Sequence, residues 1–232
     1  RNKINNFDDW VKLDLEYNVV KKNKTPESFN LHGIDTDSSR NVIYVNETNF
    51  DRIGVYDTLT LKKNDEITFV KFNNENNDQH HINDIKFFNN KLYVMMFSLN
   101  GVWQNHVWND GGILRIDVKT KEIEKKIISG LSQPHSLVLD KNDIYYCNSS
   151  ERNIYHGDKM LCQFSGYTRG LSKWNEYFLV GQSKSRRLSV IRENFTNISM
   201  DTGLHIWNSA IKTSNFINIP AENVFDILIL QE

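Results

Sequence analysis

The chain has 232 residues, 39% hydrophobic and 25% charged, enough for one large all-β domain and too few for two unless both are small. A formal net charge of -1 removes whole-molecule attraction to nucleic acid or to an anionic membrane. There is no apolar run of the roughly eighteen residues needed to cross a bilayer, and the opening R-N-K-I-N-N-F-D-D-W has no apolar signal-peptide core.

In chain order, the first predicted element is a strand over Trp10 to Val20, where Trp10, Lys12, Asp14 and Glu16 alternate with Val11, Leu13, Leu15 and Tyr17. Its polar face marks an outer strand. The stretch Lys21 to Ser28, with Pro26, is a loop. A first four-strand unit then reads Leu31 to Asp37, Val42 to Asn46, Arg52 to Asp57 and Glu66 to Phe72, and Asn73 to Gln79 reads as a solvated loop. The second unit begins at His80 to Ile85 and continues with Lys91 to Phe97, Ile113 to Val118 and Glu122 to Ile128. It is interrupted by an insertion, Ser98 to Gly112, that carries Trp103, His106 and Trp108. The third is compact: Ser136 to Leu139, Ile144 to Asn148, Asn153 to Gly157 and Met160 to Phe164. The fourth starts at Arg169, has its second strand at Tyr177 to Gly181, makes an excursion from Gln182 to Thr202, and ends with Leu204 to Trp207 and Phe216 to Ile219. Val224 to Leu230 is left as the inner strand of a fifth unit, with Trp10 to Val20 available to complete it.

These units repeat. The strand openings align as His32-Gly33-Ile34, Asn83-Asp84-Ile85, His135-Ser136-Leu137, Arg169-Gly170-Leu171 and Phe225-Asp226-Ile227. The second strands align as Ile43-Tyr44-Val45, Leu92-Tyr93-Val94, Ile144-Tyr145-Tyr146 and Phe178-Leu179-Val180. A strand-turn-strand unit that recurs over tens of residues, with no helical period inside it, is the mark of propeller blades. The expected fold is all-β, a single five-bladed β-propeller over residues 1–232 whose last blade is closed by the N-terminal strand, so that no sheet edge is left open.

Cys147 falls in a predicted strand as a small buried hydrophobe, and with Cys162 it makes no disulfide framework, so a reducing, cytoplasmic compartment is expected. N-x-S/T triplets, among them those at Asn46, Asn148, Asn194 and Asn197, would suit a secreted glycoprotein, but so Asn-rich a chain produces them by accident.

In a propeller the inner strands begin on the face that receives the loops between second and third strands. His32, His81 with Asn83 and Asp84, His135, Arg169 and Asp226 are therefore expected around one mouth, beneath the two long insertions. Three imidazoles aimed at one axis, His32, His81 and His135, could hold a divalent metal such as zinc or iron; the bland alternative is that each caps an inner strand. Arg169, Lys184 and Arg186 form the cationic side and suit a carboxylate, phosphate or sulfate, against the alternative of a solvated loop. Asp84 and Asp226 are candidate general bases or orienters of the histidines, and Trp103 could stack on a sugar or pin its loop. Ser136 and His135 are not a catalytic pair, since neighbours on a strand point to opposite faces.

H-x-N-x-I at His81 to Ile85, P-H-S at Pro134 to Ser136, R-G-L at Arg169 to Leu171, V-G-x-S-K-x-R at Val180 to Arg186 and F-D-I at Phe225 to Ile227 together resemble a family of uncharacterised, mainly bacterial propeller-like proteins classed as a domain of unknown function. The resemblance runs from about His32 to the end, with L-H-G-I-D and V-N-E-T as the opening blade. It departs from the pattern at Asp84, where the family often has Gly, and after P-H-S, which lacks the usual Pro-Arg-Trp. It implies motif residues at strand starts around one axis, and no reaction.

Two functions follow as expectations. One is a propeller that binds a small polar, anionic or sugar-like ligand or glycan at its axial mouth; if it is catalytic, it is metal-assisted, with Asp84 or Asp226 as base and Arg169, Lys184 and Arg186 as charge stabilisers. The other is a non-catalytic module whose rim loops, rather than its axis, meet a protein partner or a neighbouring domain.

Overall fold

A computed structural model describes residues 9–14, 16–24, 30–68, 78–105, 107–185 and 197–230. Four antiparallel sheets of four strands each follow one another along the chain, and each is an up-and-down meander. The first holds β3 (Leu31–Asp37), β4 (Val42–Glu47), β5 (Arg52–Asp57) and β6 (Lys63–Ile67). The second holds β7 (Ile82–Phe88), β8 (Lys91–Met96), β9 (Gly111–Asp117) and β10 (Ile123–Leu131). β11 (Pro134–Asp140), β12 (Asp143–Asn148), β13 (Asn153–His156) and β14 (Lys159–Gln163) make the third. β15 (Tyr167–Trp174), β16 (Tyr177–Ser183), β17 (Gly203–Asn208) and β18 (Thr213–Asn218) make the fourth.

The fifth sheet differs from expectation. The segment expected as one outer strand is a hairpin of β1 (Asp9–Leu13) and β2 (Val19–Lys24), paired with each other in a two-stranded sheet. The chain reverses because the amides of Glu16 and Asn18 both donate to Asp14 Oδ1, at 3.0 and 2.8 Å, an Asx-type turn inside the alternating run. The expected inner strand at Val224 to Leu230 forms no ladder; it runs beside β15 and β16 through single bonds, Ser172 Oγ to the Ile227 carbonyl and the Val224 amide to Ser183 Oγ (2.9 Å). The fourth strand expected at Glu66 to Phe72 lies earlier, at Lys63–Ile67, and residues 69–72 are outside the described ones.

Successive sheets pack face to face, as the period-2 side-chain alternation demands. Tyr44, Ile53 and Ile67 of the first sheet meet Ile82, Ile85, Leu92, Val94 and Met96 of the second. Met95 and Ile113, on the second sheet's other face, meet Leu137 and Tyr146 of the third. Cys147 and Ile154 of the third meet Leu171, Phe178, Val180 and Trp207 of the fourth. The remaining face of the first sheet, with Ile43, Val45, Tyr56 and Leu61, makes a cluster to which, among the described residues, no other four-stranded sheet contributes a buried residue.

All four inner strands carry a bulge at the same place. The pairing register slips by one residue between Leu31 and Ile34, Ile82 and Asp84, His135 and Val138, and Thr168 and Leu171, which are the repeated opening triplets. A bulge re-aims the side chains around it, and here it divides the triplet between two jobs. Its middle residues join neighbouring blades: a Cβ on Gly33 would lie 2.6 Å from Asp84 Cα, Asp84 Oδ2 accepts the Leu137 amide, and Ser136 Oγ accepts the Gly170 amide at 2.7 Å.

Candidate functional site

The first triplet residues and the loops after the second strands meet at one end of the inner strands. In the first and third blades this loop is a single 3-10 turn, at Thr48–Phe50 and Ser149–Glu151, closed by a left-handed residue, Asp51 or Arg152. Both of these residues lash their blade to the approach of the next. The Asp51 carboxylate accepts the Gln79 and His80 amides at 2.7 and 2.9 Å, and the Arg152 guanidinium donates to the Ser165 carbonyl at 3.3 Å.

At this mouth the rings form a continuous wall. His32 and His81 lie 5.3 Å apart edge to face; His81 packs on Phe97 (4.4 Å) and Trp103 (4.6 Å); Phe97 meets His135 (5.0 Å), which meets Tyr167 (5.6 Å). His135 is buried, its Nδ1 2.9 Å from Ser149 Oγ and 3.1 Å from the Gln133 carbonyl. Arg169 is buried, with its guanidinium carbon 3.9 Å from the centre of the Phe225 ring, a cation-π contact that joins the fourth blade to the C-terminal segment.

The electrostatics follow from burial. Burial first, then His81 and the positive Arg169, hold His32 down to about 4. Burial, then Arg169 and His32, hold His135 well below the usual histidine range. Near neutral pH both imidazoles are uncharged, so His32 and His135 stand as neutral groups beside the Arg169 cation.

One residue of the wall escaped the sequence reading. Asp78 lies in the Asn-rich stretch read there as a solvated loop, yet its Oδ2 is 2.8 Å from His81 Nδ1 and accepts the Trp103 indole N–H at 3.2 Å. The signal was present as an Asp three residues ahead of a strand-opening His. Trp103 is therefore a wall residue held at its nitrogen, and its backbone amide donates to the Gln79 carbonyl at 3.0 Å. The loop around it is fixed by Asp110, which accepts from Ser98 Oγ and Asn100 Nδ2. An open depression of about 270 Å³ beside this loop is lined by Gln79, Gly101, Val102, Gln104 and Asn105.

The other expected site residues are placed differently. Asn83 is buried and donates to the Pro134 carbonyl at 2.6 Å, which makes it an interblade tie. Asp84 is turned away from the mouth by the bulge, and both its oxygens accept backbone amides, of Leu137 and Ile85. Burial raises its pKa, and its charge in turn raises that of Lys86. A carboxylate so engaged orders two blades and is poorly placed as a general base. Asp226 is exposed and accepts the Ile227 amide at 2.8 Å; its field reaches Asp84 and Lys86 and so belongs to that deeper cluster. Lys184 is exposed, with its amide tied to the Glu222 carbonyl at 2.9 Å, while Arg186 and His106 lie outside the described residues. The three histidines share the mouth without forming a ligand set: Nδ1 of His81 and of His135 face Asp78 and Ser149, and among the described residues no group of three or more His, Cys, Asp and Glu could hold a metal ion. Cys147 is buried and its thiol pKa is pushed up to about 12, so it is no nucleophile.

Three comparisons bear on this arrangement. A family described as "Domain of unknown function (DUF4915)" matches residues 10–232. No curated protein matches the chain. Among solved structures, the chain is similar to a calcium-binding protein, regucalcin, from Agrobacterium tumefaciens, with a TM-score of 0.61 at 10% identity, covering 89% of this chain and 66% of that one. It is also similar to a luciferin-regenerating enzyme (TM-score 0.49, 13% identity, 84% and 78% covered) and to the computationally designed Ika4 protein (0.45, 12%, 77% and 90%). The first of these carries the fold, a β-propeller, and at such identity nothing of the function.

Proposed function

The chain belongs to the DUF4915 family, which brings no reaction with it, and we propose that it is a five-bladed propeller that binds a small anionic ligand at the mouth of its inner strands. The observation that carries this reading is the convergence of first-triplet residues from separate blades, His32, His135 and Arg169, in which the imidazoles are neutral and Arg169 is positively charged. A guanidinium braced against Phe225 and flanked by neutral hydrogen-bonding rings favours a carboxylate, or a similar planar anion, that it can grip with two parallel N–H groups. Phe97, Trp103 and Tyr167 supply apolar faces for the body of the ligand. In this reading the fifth blade consists of Val224 to Leu230 with the β1–β2 hairpin, which closes the ring beside Arg169.

Calorimetric titration of acetate, sulfate, D-galacturonate and D-galactose tests the reading. At least one anion binds the native protein, and Arg169→Met weakens it by roughly tenfold or more, as loss of a charge-assisted hydrogen bond requires. Arg169→Lys, which keeps the charge without the fork, recovers part of it. Anion binding at full strength in Arg169→Met, or none in the native protein, removes the proposal.

A further inference from the structure

Each four-stranded sheet ends in an outer strand, β6, β10, β14 or β18, whose far side has no paired strand among the described residues. An unpaired strand offers a row of N–H and C=O groups to any other strand, and proteins protect such edges with charge, irregular register or proline. Three of the four outer strands are protected in two ways at once. β6 carries Lys63, Asp65 and Glu66, β10 carries Glu124, Lys125 and Lys126, and β14 opens on Lys159. Each of these pairings also slips in register: between Val55 and Tyr56 beside β6, at three places along β10, and between Ile154 and Tyr155 beside β14. A slip bends and twists the edge away from a straight partner.

β18 has neither device. Its six residues, T-S-N-F-I-N, hold no charge and no proline, and all six are exposed. They pair with β17 one for one, from Thr213 opposite Asn208 to Asn218 opposite Gly203, without a slip. Phe216 lies against His205 at 4.6 Å and is still 39% exposed; Ile217, on the other face of the strand, is 50% exposed. A further strand laid on this edge would complete its hydrogen bonds and cover an apolar side chain on each face.

We propose that β18 is the surface through which two copies of this chain associate, β18 of one pairing antiparallel with β18 of the other. The strand's own sequence selects this occupant. A charged strand would set its charges against Phe216 and Ile217, whereas a second β18 is uncharged throughout. In the antiparallel pair the exposed Lys212, just ahead of the strand, meets the far end of its partner, so the two lysines stay about 20 Å apart at roughly 3.3 Å per residue. A two-fold pair uses the same edge of both copies, so assembly stops at the dimer. The surface is separate from the mouth, because β18 is the outermost strand of its blade and the mouth residues open the innermost ones.

Sedimentation equilibrium over roughly 1–300 µM tests this, with hydrogen exchange measured at both ends of the range. The native protein passes from monomer to dimer with no larger species, and amides of residues 213–218 gain at least tenfold in protection while those of β6 and β14 do not change. Ile217→Lys weakens the dimer at least tenfold by placing a charge on the edge. Asn215→Lys does the same without removing an apolar side chain, and it carries the test if Ile217→Lys fails to fold. A native protein that stays monomeric at every concentration overturns the proposal, as does a dimer that both lysine variants leave at full strength. Residues 213–218 already protected in the dilute monomer also overturn it, and give the edge to another part of the same chain. Growth beyond two copies overturns the two-fold pairing.

Discussion

Gly33 is where two readings of one residue position part. The aligned triplets place Gly33, Asp84, Ser136, Gly170 and Asp226 in register, and the sequence alone favours the acidic members as chemistry. The bulge decides otherwise, because it turns the middle residue toward the neighbouring blade. A Cβ on Gly33 would fall 2.6 Å from Asp84 Cα and 2.7 Å from the Ile85 nitrogen, both backbone atoms that cannot swing aside. Gly33→Ala is therefore expected to lower the unfolding free energy in urea by about 1–3 kcal/mol with the slope unchanged; a neutral result would mean that the first two blades are farther apart than described. The histidines give a second prediction at this scale. His32 and His205 are both held to about 4 by burial, and His135 lies well below its usual value. Their unfolded counterparts take up protons near 6.5. Between about 6.5 and about 4 the unfolded chain thus binds more protons than the native one, and stability falls as pH falls. Each fully neutral histidine contributes up to about 1.4 kcal/mol per pH unit. Urea titrations across that window should show the fall, and His135→Gln should make it shallower than in the native protein; identical slopes would show that His135 is protonated in the fold.

Strand edges were legible in the sequence wherever β-branched and aromatic residues alternate between Asn- or Asp-bearing turns, so β3, β5, β8 and β12 fall within a residue or so of expectation. β6 was misplaced because Lys63-Asn64-Asp65-Glu66 has no apolar alternation; it forms because β5 offers an edge, and because Lys63 and Arg52 bind the buried Glu47 and the rim Glu66. The 3-10 turns had no pattern of their own, yet they are the elements that seat one blade on the next. Thr48 Oγ1 is fully buried and donates to the Ile82 carbonyl at 2.6 Å, at the opening of the second blade. Thr48→Val keeps the shape and leaves that carbonyl without its donor, so it is expected to cost about 1–3 kcal/mol. Hydrogen exchange should locate the loss: amides of β7 should exchange faster while those of β12 stay as they were. A uniform change along the chain would mean that the turn serves stability in general and no particular blade junction.

At the scale of the whole molecule, two apolar surfaces face solvent on either side of one junction. On the hairpin, Val11, Leu13, Val19 and Val20 are 45–61% exposed; on the C-terminal segment, Phe225, Leu228 and Leu230 are 61–79% exposed. Lys12 and Lys21 tie the hairpin to the Thr58 and Leu59 carbonyls of the first blade, at 3.2 and 3.1 Å, and Ser172 and Ser183 tie the C-terminal segment to the fourth. The two segments therefore belong to the first and the fourth blade, and among the described residues neither has another strand to cover it. Pairing them would shield both apolar surfaces and remove two sheet edges at once. The double substitution Val11→Glu, Leu13→Glu distinguishes a closed ring from an open one. On a freely exposed hairpin, surface changes of this kind stay within about 0.5 kcal/mol. In a completed fifth blade they introduce charge between β1 and the Val224 to Leu230 strand, costing about 1–3 kcal/mol and speeding amide exchange over residues 224–230. Because Phe225 braces Arg169, the same substitutions should also weaken anion binding at a mouth that neither residue touches. Unchanged stability, exchange and anion affinity would show that the hairpin is an appendage of the first blade and that the ring is closed by some other means.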